Sequence, residues 1–484
     1  MFTRTLALGC AVLLGIAGST QGQESNRAAP AGAKLELSST SEVAKSEFWV
    51  GLDDWQNFSY SSSQKHFDRA VALDPNFALA RVFAIVTTAT VNGVPVPAGD
   101  LDRAVADAVR ASTGEGVFAM AWRENAFNRS KSFATLLRAA RDLMPNEPRV
   151  ASEYIWILSG TDLKAAVEAG KAAKTQFPNS GPISPAVTYV LMQSGDTAGA
   201  LAEAQRYTQL APTQPASFVV YGNYLRDVGR YDDAEAQYRR SFTLGPKHGD
   251  GIQDGVVALA SLFVQRGKAS EARQVLTDAI QHSTSAGDSL SYLYLLAGTS
   301  LYMSDVAGSM RTLEAASPIA ARASKGIAVY FPTLGLALTN AVFGDRKSVA
   351  KYVAPVHLTS PGDSVPLAWN LADIYAYTGQ TDSTFKYAEW LNAQASTNPY
   401  LTRVAHFMRG RVYLTTGSCD KALEEFRQSD STLVEIQAGS AECEMKAGHR
   451  EAALRYRDLV RNRRDASLYD PGEIRARLLM AKLQ

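Results

Sequence analysis

The chain has 484 residues, 46% of them hydrophobic and 20% charged, a composition that folds and that excludes both wholesale disorder and a protein of many membrane spans. Its 49 Lys and Arg balance 48 Asp and Glu, which leaves no field to hold a phosphate backbone or an anionic bilayer, so no nucleic acid partner is expected. At roughly 150 residues per domain the length would give about three globules, unless the sequence is repetitive.

Residues 1–22 read as an export signal. Arg4 is the positive flank, and Leu6 to Ala17 is an apolar run too short to span a bilayer. Thr20 and Gly22 are small residues placed for a cut before Gln23, which would leave 48 basic against 48 acidic residues. Leu8, Gly9 and Cys10 resemble the end of a lipobox, but only five residues separate Cys10 from Arg4, too few for an apolar region before a lipidated cysteine. Residues 23–41 are polar and rich in Ala and Ser, the pattern of a flexible leader. No later stretch is apolar enough to cross a membrane, so the mature protein is expected in the periplasm or outside the cell, without membrane insertion. Two cysteines, Cys419 and Cys443, would remain in that oxidising compartment.

From residue 42 to 470 the sequence repeats. Pro145, Pro178, Pro212 and Pro246 follow at intervals of 33, 34 and 34 residues. In the clearest unit, from Pro215 to His248, small or apolar residues recur at Phe218, Tyr221, Gly222 and Leu225, then at Ala234, Tyr238 and Ser241. These offsets put one apolar stripe on each of two short helices. Gly229 between them is placed to end the first helix, and Pro246 to stop the second. Units are expected to begin near 44, 79, 114, 147, 181, 215, 253, 290, 330, 365, 403 and 434, about twelve helix pairs. The segment from Asp470 to Leu483 opens with an Asp N-cap and a Pro at the first helical position, and residues 471–484 read as a capping helix.

The unit resembles the tetratricopeptide repeat family, which has small residues where its helices cross, a tyrosine in the first helix, an aromatic in the second and a closing proline. Gly51, Phe67, Ala70 and Pro75 carry the resemblance in the first unit; Gly195, Ala200 and Pro212 in the fifth; Gly410, Tyr413, Gly417, Ala422 and Phe426 in the eleventh. The resemblance implies an all-α, right-handed superhelical solenoid in which one stack replaces several globules. It also implies a concave groove lined by the first helix of each pair. Carried over residue by residue, the groove positions fall on Val219, Asn223, Arg226 and Asp227, on Trp369, Asp373 and Tyr377, and on Phe407, Arg411 and Leu414. This mixture of rings, an amide and both charges suits an extended peptide or a partner helix. Cys419 opens a second helix and Cys443 falls late in the next first helix, levels that stacking brings together, so a disulfide is expected between them.

Features that could carry chemistry have plainer readings. Gly287 to Leu290 and Gly362 to Val365 spell Gly-Asp-Ser strings of the kind some hydrolases use, but neither strand nor histidine base accompanies Ser289 or Ser364. Asp288 and Asp363 read better as residues that open helices. The six histidines, His66, His248, His282, His357, His406 and His449, lack zinc-ligand spacing, and no phosphate-binding glycine loop occurs, so neither metal nor cofactor is expected. Trp55, Trp122, Trp156, Trp369 and Trp390 fall mostly inside apolar stripes, as core residues do. The function expected from sequence is an exported, non-catalytic scaffold that binds a protein or peptide. A glycan-binding surface protein and a serine hydrolase are the alternatives, with a groove filled by its own chain or by another copy as a further possibility.

Overall fold

The computed structural model describes residues 34–56, 60–92, 96–127, 129–248, 252–283, 286–324, 326–356, 364–395, 400–463 and 466–484. Residues 1–22, read as an export signal, and most of those read as a leader lie outside them. Every regular element among the described residues is helical. The contacts divide the chain near residue 255 into two units, each a stack of consecutive helix pairs.

The N-terminal unit holds α1 (Glu42–Gln56), α2 (Tyr60–Leu73), α3 (Ala78–Asn92), α4 (Ala98–Ala111), α5 (Thr113–Ala126), α6 (Ser130–Leu143), α7 (Pro148–Ser159), α8 (Leu163–Gln176), α9 (Ser184–Gln193), α10 (Thr197–Leu210), α11 (Pro215–Asp227) and α12 (Tyr231–His248). The C-terminal unit takes up most of α13 (Ile252–Gln265), then α14 (Ala269–His282), α15 (Ala286–Tyr302), α16 (Val306–Ala323), α17 (Phe331–Phe343), α18 (Val349–Val353), α19 (Ser364–Thr378), α20 (Thr381–Ala393), α21 (Tyr400–Thr415), α22 (Cys419–Arg427), α23 (Val434–Lys446), α24 (Arg450–Arg461) and α25 (Pro471–Lys482). Odd-numbered helices are thus the first members of pairs, and each begins within four residues of the start read from the sequence.

Local chemistry sets the pairs. Gly229 takes φ +84° just past α11, and the Arg230 N–H donates to the Leu225 carbonyl, closing the helix end with a left-handed residue. Gly195, Gly267, Gly379, Gly417 and Gly448 have the same sign of φ at the corresponding turns. Pro246 behaves differently from the sequence expectation: α12 runs past it to His248. A proline in the last turn forfeits one backbone hydrogen bond, a loss the end of an 18-residue helix absorbs. In three pairs the helices cross at a glycine covered by a ring, Gly51 under Phe67, Gly222 under Tyr238 and Gly410 under Phe426. A Cβ at Gly222 would come within 2.5 Å of Tyr238, and one at Gly410 within 2.5 Å of Phe426.

Between pairs, first helices touch first helices, as α3 does α5, α7 does α9, and α19 does α21, so the first helices share one face of each unit, the face that the resemblance implies is the inner one. Stacking buries one cluster running from Leu35 to Ile157, with Phe48, Phe67, Phe77, Phe83 and Phe118 fully enclosed, which no single pair could bury. Part of the stretch read as a flexible leader joins this packing. Leu35 is buried, and the Ser38 N–H and hydroxyl both donate to the Glu115 carboxylate, at 2.6 and 2.8 Å.

The C-terminal segment does more than cover the last pair. Asp470 caps α25 by accepting from the Gly472 and Glu473 N–H groups, and α25 then packs against α23 and α24 and also against α15 and α17. Its approach is close. The Tyr302 hydroxyl donates to the Ser467 carbonyl at 3.0 Å, and a Cβ at Gly298 would lie 1.9 Å from the Leu468 carbonyl oxygen. Leu468, Ile474 and Met480 are buried by this docking. The helix therefore lies across the inner face of the C-terminal unit.

Cys419, at the start of α22, is bonded to Cys443 in α23, with Cα atoms 5.3 Å apart. The bond spans 24 residues of sequence and ties the last two full pairs together. On the loop-closure argument, reduction should cost the C-terminal unit roughly 3 kcal/mol. Denaturant unfolding of oxidised and reduced protein, followed by a probe in the C-terminal unit, should show that loss; coincident transitions would contradict it.

Candidate functional site

The inner helices carry the residues the resemblance selected, and the two units treat them differently. In the C-terminal unit, Asp373 and Tyr377 of α19 and Phe407 and Arg411 of α21 are all buried. They meet each other. Arg411 forms an ion pair with Asp373, donates to Glu435 of α23 at 3.2 Å, and stacks its guanidinium 4.0 Å from the Phe407 ring centre and 4.3 Å from that of Tyr377. Burial alone would favour the neutral arginine, but Asp373, Tyr377, Glu435 and Asp470 outweigh it and hold the charge. The Tyr377 phenol is pushed far up by the same burial, against the pull of Arg411. Gly472 of α25 sits directly over that phenol, where a Cβ would be 2.1 Å from its oxygen. Four of the positions read as ligand-facing are thus committed to an internal ion cluster under the terminal helix. Trp369 is half-buried and stacks on Tyr400 with ring centres 6.2 Å apart, and Leu414 is half-buried beside the cluster.

In the N-terminal unit, Val219, Asn223 and Arg226 are half-buried and Asp227 is exposed. Asn223 accepts from the Tyr238 hydroxyl at 2.8 Å, which aligns its amide, and Arg226 pairs with Asp227 at 2.8 Å. Beside them stand three rings the sequence reading did not assign to the groove: Trp156 of α7, Tyr189 of α9 and Tyr224 of α11. Each is half-buried. Trp156 and Tyr189 have ring centres 4.8 Å apart. Burial raises the Tyr224 phenol, and the charges of Asp227 and then Tyr189 raise it further. The signal was in the spacing, since these residues are 33 and 35 apart, the pitch of the repeat.

Further along the same inner face, the first pair reaches across to the fourth and sixth. Arg149 of α7 holds Asp53 of α1 through two bonds of 2.7 and 2.9 Å and lies 4.6 Å over the Trp49 ring. Gln56 Nε2 donates to the Arg149 carbonyl and to Glu153, both at 3.0 Å, while Gln214 donates to Asp54 at 3.4 Å.

Ser289 lies in the first turn of α15, where its hydroxyl donates to that of Ser283 at 3.0 Å. Ser364 opens α19, and Gly362 and Asp363 lie outside the described residues. His66 lies 2.7 Å from Glu47, His406 2.7 Å from Glu425 and His449 2.8 Å from Glu444, each a pairing within one helix or across one pair. His357 is outside the described residues. Among the described residues no three His, Cys, Asp or Glu side chains gather as a metal site, and no helix is long and apolar enough to cross a membrane.

No family model matches the chain, and no curated protein does. Among solved structures, one described as Naa15/Naa10 bound to HypK-THB aligns over 72% of this chain with a TM-score of 0.27 and 13% identity. The alignment spans 63% of that chain.

Burial pushes the Glu153 carboxyl up to about 7, against the opposing hydrogen bond from Gln56. A folded pKa above the ordinary 4.5 means that folding favours the protonated acid. Its stabilisation is complete below the unfolded pKa and is lost as pH rises through about 7. The melting temperature of the N-terminal unit should therefore fall between about pH 5 and 8, and Glu153→Gln should flatten that fall. An identical slope in the variant would refute the assignment.

Proposed function

We propose that the protein is an exported, non-catalytic scaffold that holds a segment of another protein against the inner helices of its N-terminal unit. One observation carries this reading. Trp156 and Tyr189 stand on successive first helices with ring centres 4.8 Å apart, Tyr224 follows at the repeat spacing on the next, and all three are half-exposed, with Asn223, Arg226 and Asp227 next to Tyr224 in the chain. Rings of this kind offer large contact area at little entropic cost, and the adjacent amide and charged pair can bond a peptide backbone or side chain. Stacked repeats generate extended inner surfaces of this type. A resemblance to tetratricopeptide repeats points the same way, as does a disulfide, which persists in exported proteins. Residues 1–22, as the export signal, would be removed before Gln23.

Affinity capture from a periplasmic extract, paired with native mass measurement, tests the reading. The wild-type chain should retain one protein in fixed stoichiometry, and a Trp156→Ala, Tyr189→Ala double variant should retain at least about tenfold less, in line with the loss of two anchoring rings. The same rings could stack on a sugar. Retention of glycans without a protein partner, or partner capture that ignores the double variant, would contradict the proposal.

A further inference from the structure

The terminal helix leaves part of the C-terminal unit's inner face uncovered, and what remains is a cavity of about 210 Å³. Its floor is the Arg411 cluster with the Tyr377 ring, and its walls include Leu414, Gly439 and Ala476. Three cations come to it from separate elements: Arg346 from the 3-10 turn after α17, Lys446 from the last turn of α23, and Arg475 from α25.

These three differ from the other charges of the region. Arg411 is committed to Asp373 and Glu435. Arg477, two residues from Arg475, is paired with Glu473 at 2.8 Å. Arg346 spends only its Nε, on the Ala341 carbonyl at 3.2 Å. No carboxylate among the described residues pairs with Arg346, Lys446 or Arg475. Glu442 is the one acid on the cavity wall outside an ion pair, and the floor cluster sets Arg411 against both Asp373 and Glu435, so wall and floor together carry a net charge of +1. Like charges brought together over a concave, partly apolar wall repel one another and focus a positive potential into it. An anion in the cavity removes that repulsion. Two guanidinium forks and an ammonium match the oxygens of carboxylate or phosphate, the forks bidentately and the lysine as a point charge.

We propose that this cavity binds a small organic dianion, held by Arg346, Lys446 and Arg475. The proposal is independent of the peptide surface in the N-terminal unit. A short dicarboxylate and a phosphate group present the same compact double charge, and the test separates them.

Full-length oxidised protein would be titrated calorimetrically with succinate and, separately, with inorganic phosphate, against sodium chloride of equal ionic strength. Saturable one-to-one binding of either anion is expected, succinate marking a dicarboxylate site and phosphate a phosphoryl site. Arg346→Gln and Arg475→Gln should each weaken it about tenfold, the loss of one charge-assisted contact. Arg475→Lys should weaken it less. Glu442→Gln, which removes the opposing carboxylate, should tighten binding, a change that a purely structural role for these residues would not produce. Heats no different from chloride for both anions, or unaltered affinity in the Arg346→Gln, Arg475→Gln and Glu442→Gln variants, would overturn the proposal.

Discussion

Close crossing of the two helices in a pair is the contact on which stacking depends, and in three of the pairs it is made by a glycine lying under an aromatic ring sixteen residues later. Gly51 and Phe67, Gly222 and Tyr238, and Gly410 and Phe426 repeat that contact, and in each case a Cβ would come within 2.9 Å of the ring. The glycine lets two helices cross closely, and the ring fills the space a side chain would have taken. Neither gain is available to one helix alone. The crossing fixes the angle of each pair, the pair presents an apolar flank, and the next pair covers it. Cys419 and Cys443 meet because one such stacking step brings the start of α22 to the side of α23.

The same geometry decides what the inner faces contain. First helices packed side by side bring residues of equivalent register within reach of each other, and the chain uses this to pair its own charges. Arg411, Asp373 and Glu435 come from three successive first helices and are buried together. Removing such charges from water costs several kcal/mol per ion, repaid only when the partners and their hydrogen bonds are complete. Arg149, Asp53, Gln56 and Glu153 make the corresponding network in the N-terminal unit. These networks fix which first helices lie opposite each other. The surfaces proposed for a peptide and for an anion are what these networks do not consume, the rings of α7, α9 and α11 in one unit and the cation-lined cavity beside α25 in the other.

Much of this was legible in the sequence. Proline spacing, Gly229 and the small residues at crossings are local signals, and they placed the start of each first helix because a helix end is decided within a turn or two of chain. Pro246 was misread because one lost hydrogen bond is a weak veto near the end of a long helix. The inner cluster was only half legible. Asp373 and Arg411 were picked out as inner-facing, yet opposite charges at matching levels of adjacent repeats are also a signal of mutual pairing, and that is how they are used. The docking of α25 was not legible. Asp470 and Pro471 announce that a helix begins, but where it lies depends on Gly298 and Tyr302, some 170 residues earlier, whose identities carry no local meaning.

The account rests on stacked pairs whose inner face, in the C-terminal unit, is occupied by the chain's own last helix. Hydrogen exchange of the peptide amides from Ile474 to Met480, read by mass spectrometry in the intact oxidised protein, examines that directly. Protection comparable to that of α19 and α21 is predicted, since these amides would exchange only when the unit itself opens. Exchange as fast as that of a frayed terminus would show that the helix does not occupy the face, and would contradict the account.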